Sequence, residues 1–78
     1  MRITIGETTY VVAFRRRRYD TTTYTWASVA LNQESVSLGD PWPAVTPKQR
    51  EVEASLRRVL GERGIVPGPA PSGPEQGY

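Results

Sequence analysis

Apolar side chains in this chain follow two rhythms, and the change from one to the other falls at a single segment, Gly39-Asp40-Pro41-Trp42-Pro43. Before it, apolar and polar residues alternate with a period of about two, as in strands with one buried face; after it, apolar residues recur with a period of about 3.6, as in an amphipathic helix. Prolines on both sides of Trp42 forbid a regular central strand there and favour an extended, stiff connector. A chain ordered in this way is expected to fold as α+β. A small antiparallel β-meander of three to four strands comes first, and one C-terminal amphipathic helix then covers one sheet face.

The alternation places the first strand at residues 2–5 and the second at residues 8–16. Gly6-Glu7 joins them, and glycine at the first central position suits a two-residue type II′ turn. Such a turn sets Ile5 opposite Thr8 and Ile3 opposite Tyr10. Ile3, Ile5, Tyr10, Val12 and Phe14 then share one face, and Arg2, Thr4, Val11, Ala13 and Arg15 the other. Residues 15–22, with four consecutive arginines, Tyr19-Asp20 and the start of a threonine run, read as a long hairpin tip or a wide loop. A third strand over residues 23–31 turns at Asn32-Gln33 into a fourth over residues 34–38. With a two-residue loop, Val29 pairs with Val36 and Ala27 with Leu38. Ala27, Val29, Leu31, Val36 and Leu38 then share a face, and Tyr24, Trp26, Ser28 and Ala30 take the other. A three-residue loop would swap the faces of one strand.

The helix is expected over residues 47–62. Thr46 can cap it, Pro47 suits its first position, and Gln49 completes a capping box. Val45 is placed to staple onto the first turn. Val52, Leu56, Val59 and Leu60 form one apolar stripe, Glu53 and Arg57 are spaced as an ion pair, and Gly61 or Gly64 ends the helix. The expected core joins this stripe to Ile3, Ile5, Tyr10, Val12, Phe14, Ala27, Val29, Val36 and Leu38. Residues 1–64 thus read as a single domain. Residues 65–78, with four prolines and three glycines, read as a disordered tail whose Ile65 and Val66 can still dock on the core.

Composition removes much chemistry. With no cysteine and no histidine, the chain has no thiol nucleophile, no Cys/His zinc site and no imidazole base. Glycine-rich phosphate loops, nucleophile elbows and usefully spaced carboxylate pairs are also missing from it. The expectation is a protein that is not an enzyme, with no cofactor, no metal and no small-molecule substrate. No apolar run approaches the ~20 residues that span a bilayer. The N-terminal residues lack a signal-peptide core, so a cytoplasmic setting without membrane attachment is expected.

The net charge is only +2, yet nine of the ten basic residues are arginine. An excess of arginine over lysine also suits a GC-rich genome, so position has to carry any functional reading. Two positions do. Arg15, Arg16, Arg17 and Arg18 form a run suited to phosphate contacts, which give affinity without reading sequence. On the sheet face away from the helix, Arg2, Arg15, Arg17, Tyr24 and Trp26 combine guanidinium groups with aromatic rings. That mixture suits base stacking on single strands or a sheet laid in a duplex groove. If the register slips by one, the aromatics belong to the core instead. The helix basics Lys48, Arg50, Arg57, Arg58 and Arg63 alternate with Glu51, Glu53 and Glu62 and read as a solvated face.

In layout the chain resembles the sheet-type DNA-binding domains, such as the N-terminal arm-binding domain of tyrosine integrases. The residues concerned are the basic, aromatic strand at 10–18 and the helix at 46–60. About thirty residues separate Phe14 from Thr46, and a further strand intervenes, so the match is one of architecture. Two functions follow as expectations. One is a small nucleic-acid-binding or accessory protein, of the kind phages and mobile elements carry, acting through Arg2, Arg15, Arg16, Arg17, Arg18, Tyr24 and Trp26. The other is a protein–protein module, such as an inhibitor, adaptor or subunit, or a homodimer, acting through the same sheet face.

Overall fold

Three two-residue turns build the sheet, and each is closed by residues with positive φ. The computed structural model describes residues 1–66; residues 67–78, where most of the proline-rich tail falls, lie outside the described residues. Strands β1 (Arg2–Ile5), β2 (Thr8–Tyr19), β3 (Thr22–Leu31) and β4 (Glu34–Ser37) form one antiparallel sheet in chain order, followed by helix α1 (Gln49–Glu62). Gly6 closes the first turn at φ 64°, with Glu7 at negative φ, as a type II′ turn requires. Asn32 and Gln33 both take positive φ, 47° and 68°, which makes the third turn type I′. These turns set the expected pairs Ile3–Tyr10, Ile5–Thr8 and Val29–Val36.

The middle hairpin corrects the sequence reading. Residues 15–22 are not a loop: β2 runs to Tyr19, β3 begins at Thr22, and Asp20 closes a two-residue turn at φ 60°. Aspartate tolerates the left-handed region better than most residues. Successive strand side chains point to opposite faces, so the arginine run splits its charge between two surfaces instead of crowding it in a loop. β4 ends one residue early, at Ser37, although the Leu38 amide still donates to the Ala27 carbonyl at 3.0 Å.

Side chains of Ile3, Ile5, Tyr10, Val12, Ala27, Val29, Leu31 and Leu38 from the sheet meet Val52, Leu56, Val59 and Leu60 of α1 in one buried cluster. Phe14 and Val36, expected inside, lie at its margin, half-buried. Trp42 also packs there, and its backbone exchanges two hydrogen bonds with Thr25 of β3, at 2.9 and 3.0 Å. The connector thus covers the β3 edge beyond β4, as its two prolines allow.

The helix starts later than its capping signals suggest. Lys48, not Thr46, is the N-cap; it is extended and makes no side-chain cap bond, and its carbonyl accepts the Glu51 and Val52 amides. The reason lies in the connector. The Val45 carbonyl is bonded to Thr25 and Arg16, and Pro47 is buried, so the chain must pass the sheet edge before it can coil. Val45 is 58% exposed and staples nothing. At the other end Gly64, at φ 70°, ends the helix: its amide donates to Gly61 and that of Ile65 to Leu60, the Schellman arrangement. Ile65 is half-buried against the core, which moves the end of the packed unit past residue 64. No helix among the described residues is long and apolar enough to cross a membrane.

Candidate nucleic-acid interface

β1 is short. Its ladder reaches Val11 of β2, and Met1 extends it to Val12 through reciprocal backbone bonds of 2.8 and 2.9 Å. Among the described residues, β2 from Ala13 to Tyr19 has β3 on one side and no strand on the other. The outer halves of β2 and β3 therefore leave the body of the sheet as a two-stranded ribbon. Arg15 to Tyr19 would span roughly 13 Å at the usual strand rise.

Register decides what each ribbon face carries. Arg15 pairs with Trp26, Arg17 with Tyr24 and Tyr19 with Thr22, all on the face away from α1. The Arg15 guanidinium lies over the Trp26 ring, 5.8 Å from its centroid. Tyr24 and Trp26 rings are 6.4 Å apart, and Tyr19 meets Tyr24 edge-on at 6.0 Å. Arg17 Nη1 donates to the Tyr19 hydroxyl at 3.2 Å. Trp26, Tyr24 and Tyr19 thus form an aromatic row with a guanidinium beside it at alternate positions. The row depends on strand structure: in a loop these side chains would have no common face.

Arg16 and Arg18 point to the opposite face, in line with Phe14. Arg16 lies over the Phe14 ring at 5.8 Å and donates through Nε to the Val45 carbonyl, which ties the ribbon to the connector. Arg18 Nε donates to the Asp20 carbonyl at 3.3 Å. Arg2 is on the open face but opposite Val11, four residues along β2 from Arg15, roughly 13 Å at strand rise. The structure therefore brings Arg15, Arg17, Tyr24 and Trp26 together, puts Arg16 and Arg18 on the reverse of the same ribbon, and leaves Arg2 apart.

Two residues were missed. Tyr19 belongs to the aromatic row; continuing the β2 alternation past Arg17 would have placed it there. Thr25 is fully buried, and its hydroxyl donates toward the Ala44 and Val45 carbonyls at 2.6 and 3.0 Å, anchoring the base of the ribbon. It continues the inward parity of Ala27 and Val29.

Charge is divided between the two halves of the molecule. The ion pairs among the described residues are Arg57–Glu53, Arg58–Glu62 and Arg63–Glu34, and each uses a basic residue of α1 or its C-cap. Arg2 and the ribbon arginines take part in none of them. The open face carries Arg2, Arg15 and Arg17, while Glu34 belongs to the helix-side parity of β4. A surface of this kind attracts anions and offers planar rings for stacking.

No known protein family, curated protein or solved structure matches this chain.

Proposed function

We propose that this chain is a small, non-enzymatic nucleic-acid-binding protein of the cytoplasm that grips the phosphate backbone with Arg15, Arg16, Arg17 and Arg18 of the β2–β3 ribbon. The observation that carries the reading is the division of charge. Acidic residues pair with Arg57, Arg58 and Arg63 at the helix, whereas the ribbon arginines form no ion pair among the described residues, and Arg15 and Arg17 stand beside Tyr19, Tyr24 and Trp26. A two-stranded ribbon also has dimensions that a duplex major groove admits. Arginine on both faces lets it meet phosphates on either wall.

Titration of labelled duplex and single-stranded DNA and RNA, followed by anisotropy, tests this directly. If the four arginines each neutralise one phosphate, duplex affinity falls roughly a hundredfold between about 50 and 200 mM salt. Replacing all four by serine removes most of the binding and flattens the salt dependence. Absence of binding at low salt would sink the reading.

A second reading has its own support. Val11 is 55% exposed in the middle of the open face, and tyrosine, tryptophan and arginine are the residues on which protein interfaces concentrate their energy. In this reading the face docks a protein as an inhibitor, adaptor or subunit would, or a second copy of the chain. Binding of that kind changes little with salt.

A further inference from the structure

The open face is stepped. Beside the Arg15–Trp26 pair the next row of the sheet is Ala13, Ser28 and Ser37, all small, and Ser35 lies beyond. Tall side chains ending against short ones leave a recess of about 380 Å³, lined by Ala13, Arg15, Trp26, Ser28, Ser35 and Ser37 with backbone from Phe14 and Ala27. That volume lies within the ~300–1,000 Å³ range of small-ligand clefts. Its lining combines the half-buried Trp26, the Arg15 whose guanidinium lies over the Trp26 ring, and three serines. Ser37 Oγ accepts the Gly39 amide at 3.1 Å, which leaves its own hydrogen to donate.

We infer that this recess receives one unpaired nucleobase, so that the protein takes single-stranded nucleic acid in preference to duplex. The inference rests on the nucleic-acid reading above and specifies its ligand. Three properties of the recess point to a base. Trp26 offers a ring over which only the movable Arg15 guanidinium lies, so a base can stack there as Arg15 turns to a phosphate, and stacking tolerates every base because each has a π-face. The serines offer hydroxyls that both donate and accept, matching the mixed edge of a base. Arg15 and Arg17 stand on the same face, where the phosphates flanking an inserted base would run, with Tyr24 and Tyr19 next in line for the following bases. Bases in an intact duplex are already stacked on their neighbours and cannot enter a recess of this shape.

The full chain is titrated with an unstructured single strand of about 12 nucleotides and with a duplex of the same length. Anisotropy reports binding and tryptophan emission reports the recess, in the unaltered protein, in Trp26→Phe and in Ser28→Leu, which fills the recess. The single strand is expected to bind more tightly than duplex and to quench emission in the unaltered protein. At saturation, Trp26→Phe, which retains only Trp42, shows no quenching. Ser28→Leu loses on the order of tenfold in single-strand affinity, with duplex affinity and its salt slope within about twofold of the original. Ser35→Leu, on the edge strand, serves if Ser28→Leu does not fold. Salt-sensitive binding with a duplex preference, or single-strand binding that leaves Trp26 emission and the Ser28→Leu affinity unchanged, would overturn the recess and leave the phosphate-binding ribbon standing. No binding of any nucleic acid at low salt would remove both.

Discussion

Thr25 shows how one hydroxyl holds two segments together. It is fully buried, its backbone pairs with Trp42, and its side chain reaches the Ala44 and Val45 carbonyls. Thr25→Val keeps the shape and removes the donor, leaving the Ala44 carbonyl short of a partner and the Val45 carbonyl with Arg16 alone. The expected cost is about 1–3 kcal/mol in urea unfolding. A variant as stable as the original would show that water satisfies the connector instead. Gly39 is a second such point. It sits at φ 108°, and a Cβ built on it would lie 2.8 Å from Arg58 Nη2, which donates to the Leu38 carbonyl, also at 2.8 Å. Arg58 is flexible enough to move aside, but the backbone angle is not relieved. Gly39→Ala is expected to lose about 1–2 kcal/mol, readable as a lower urea midpoint.

At the scale of elements, the ribbon and the packed sheet differ in what supports them. The inner parts of β2 and β3 lie under α1, whereas residues beyond Thr25 have only each other, and a lone two-stranded hairpin is marginal in water. Ladder amides of residues 16–24 are therefore expected to exchange with solvent faster than those of Val12 and Val29, with the Thr25 amide, bonded to Trp42, protected at the boundary. Uniform protection along β3 would contradict this. The same contrast explains what could be read from the sequence. Gly6-Glu7 and Asn32-Gln33 are turn signals flanked by apolar alternation, and the stripe from Val52 to Leu60 has a helical period, so the outer hairpins, the helix and most of the core were legible. The ribbon was not, because four arginines hide the alternation that identifies a strand and Asp20 closes a turn usually left to glycine. Thr46, Pro47 and Gln49 formed a sound local start signal, which the anchoring of Val45 at the sheet edge overrode. Among candidate site residues, Tyr24 and Trp26 fell on the expected face because the Asn32-Gln33 loop has two residues, while Tyr19 was lost with the ribbon.

Over the whole molecule, a net charge of +2 conceals a separation: ion-paired arginines at α1 and, among the described residues, arginines outside any ion pair on the ribbon. With no histidine in the chain, no side chain has its ordinary titration between about pH 5.5 and 7. Arginine keeps its charge throughout that range. Nucleic-acid affinity at fixed salt is therefore expected to be level across it, and a slope in anisotropy titrations would call for a carboxylate at the interface. The unpaired side of β2 from Ala13 to Tyr19 carries a further consequence. Bare strand edges invite other strands to join them, and charge along the edge is a common guard against that. Two copies meeting there would bring their arginine runs together, which disfavours pairing at that edge. On the proposed function, a bound polyanion would lift that guard. Near charge equivalence, mixtures should turn cloudy as chains gather on a shared strand, then clear again in excess polyanion or added salt.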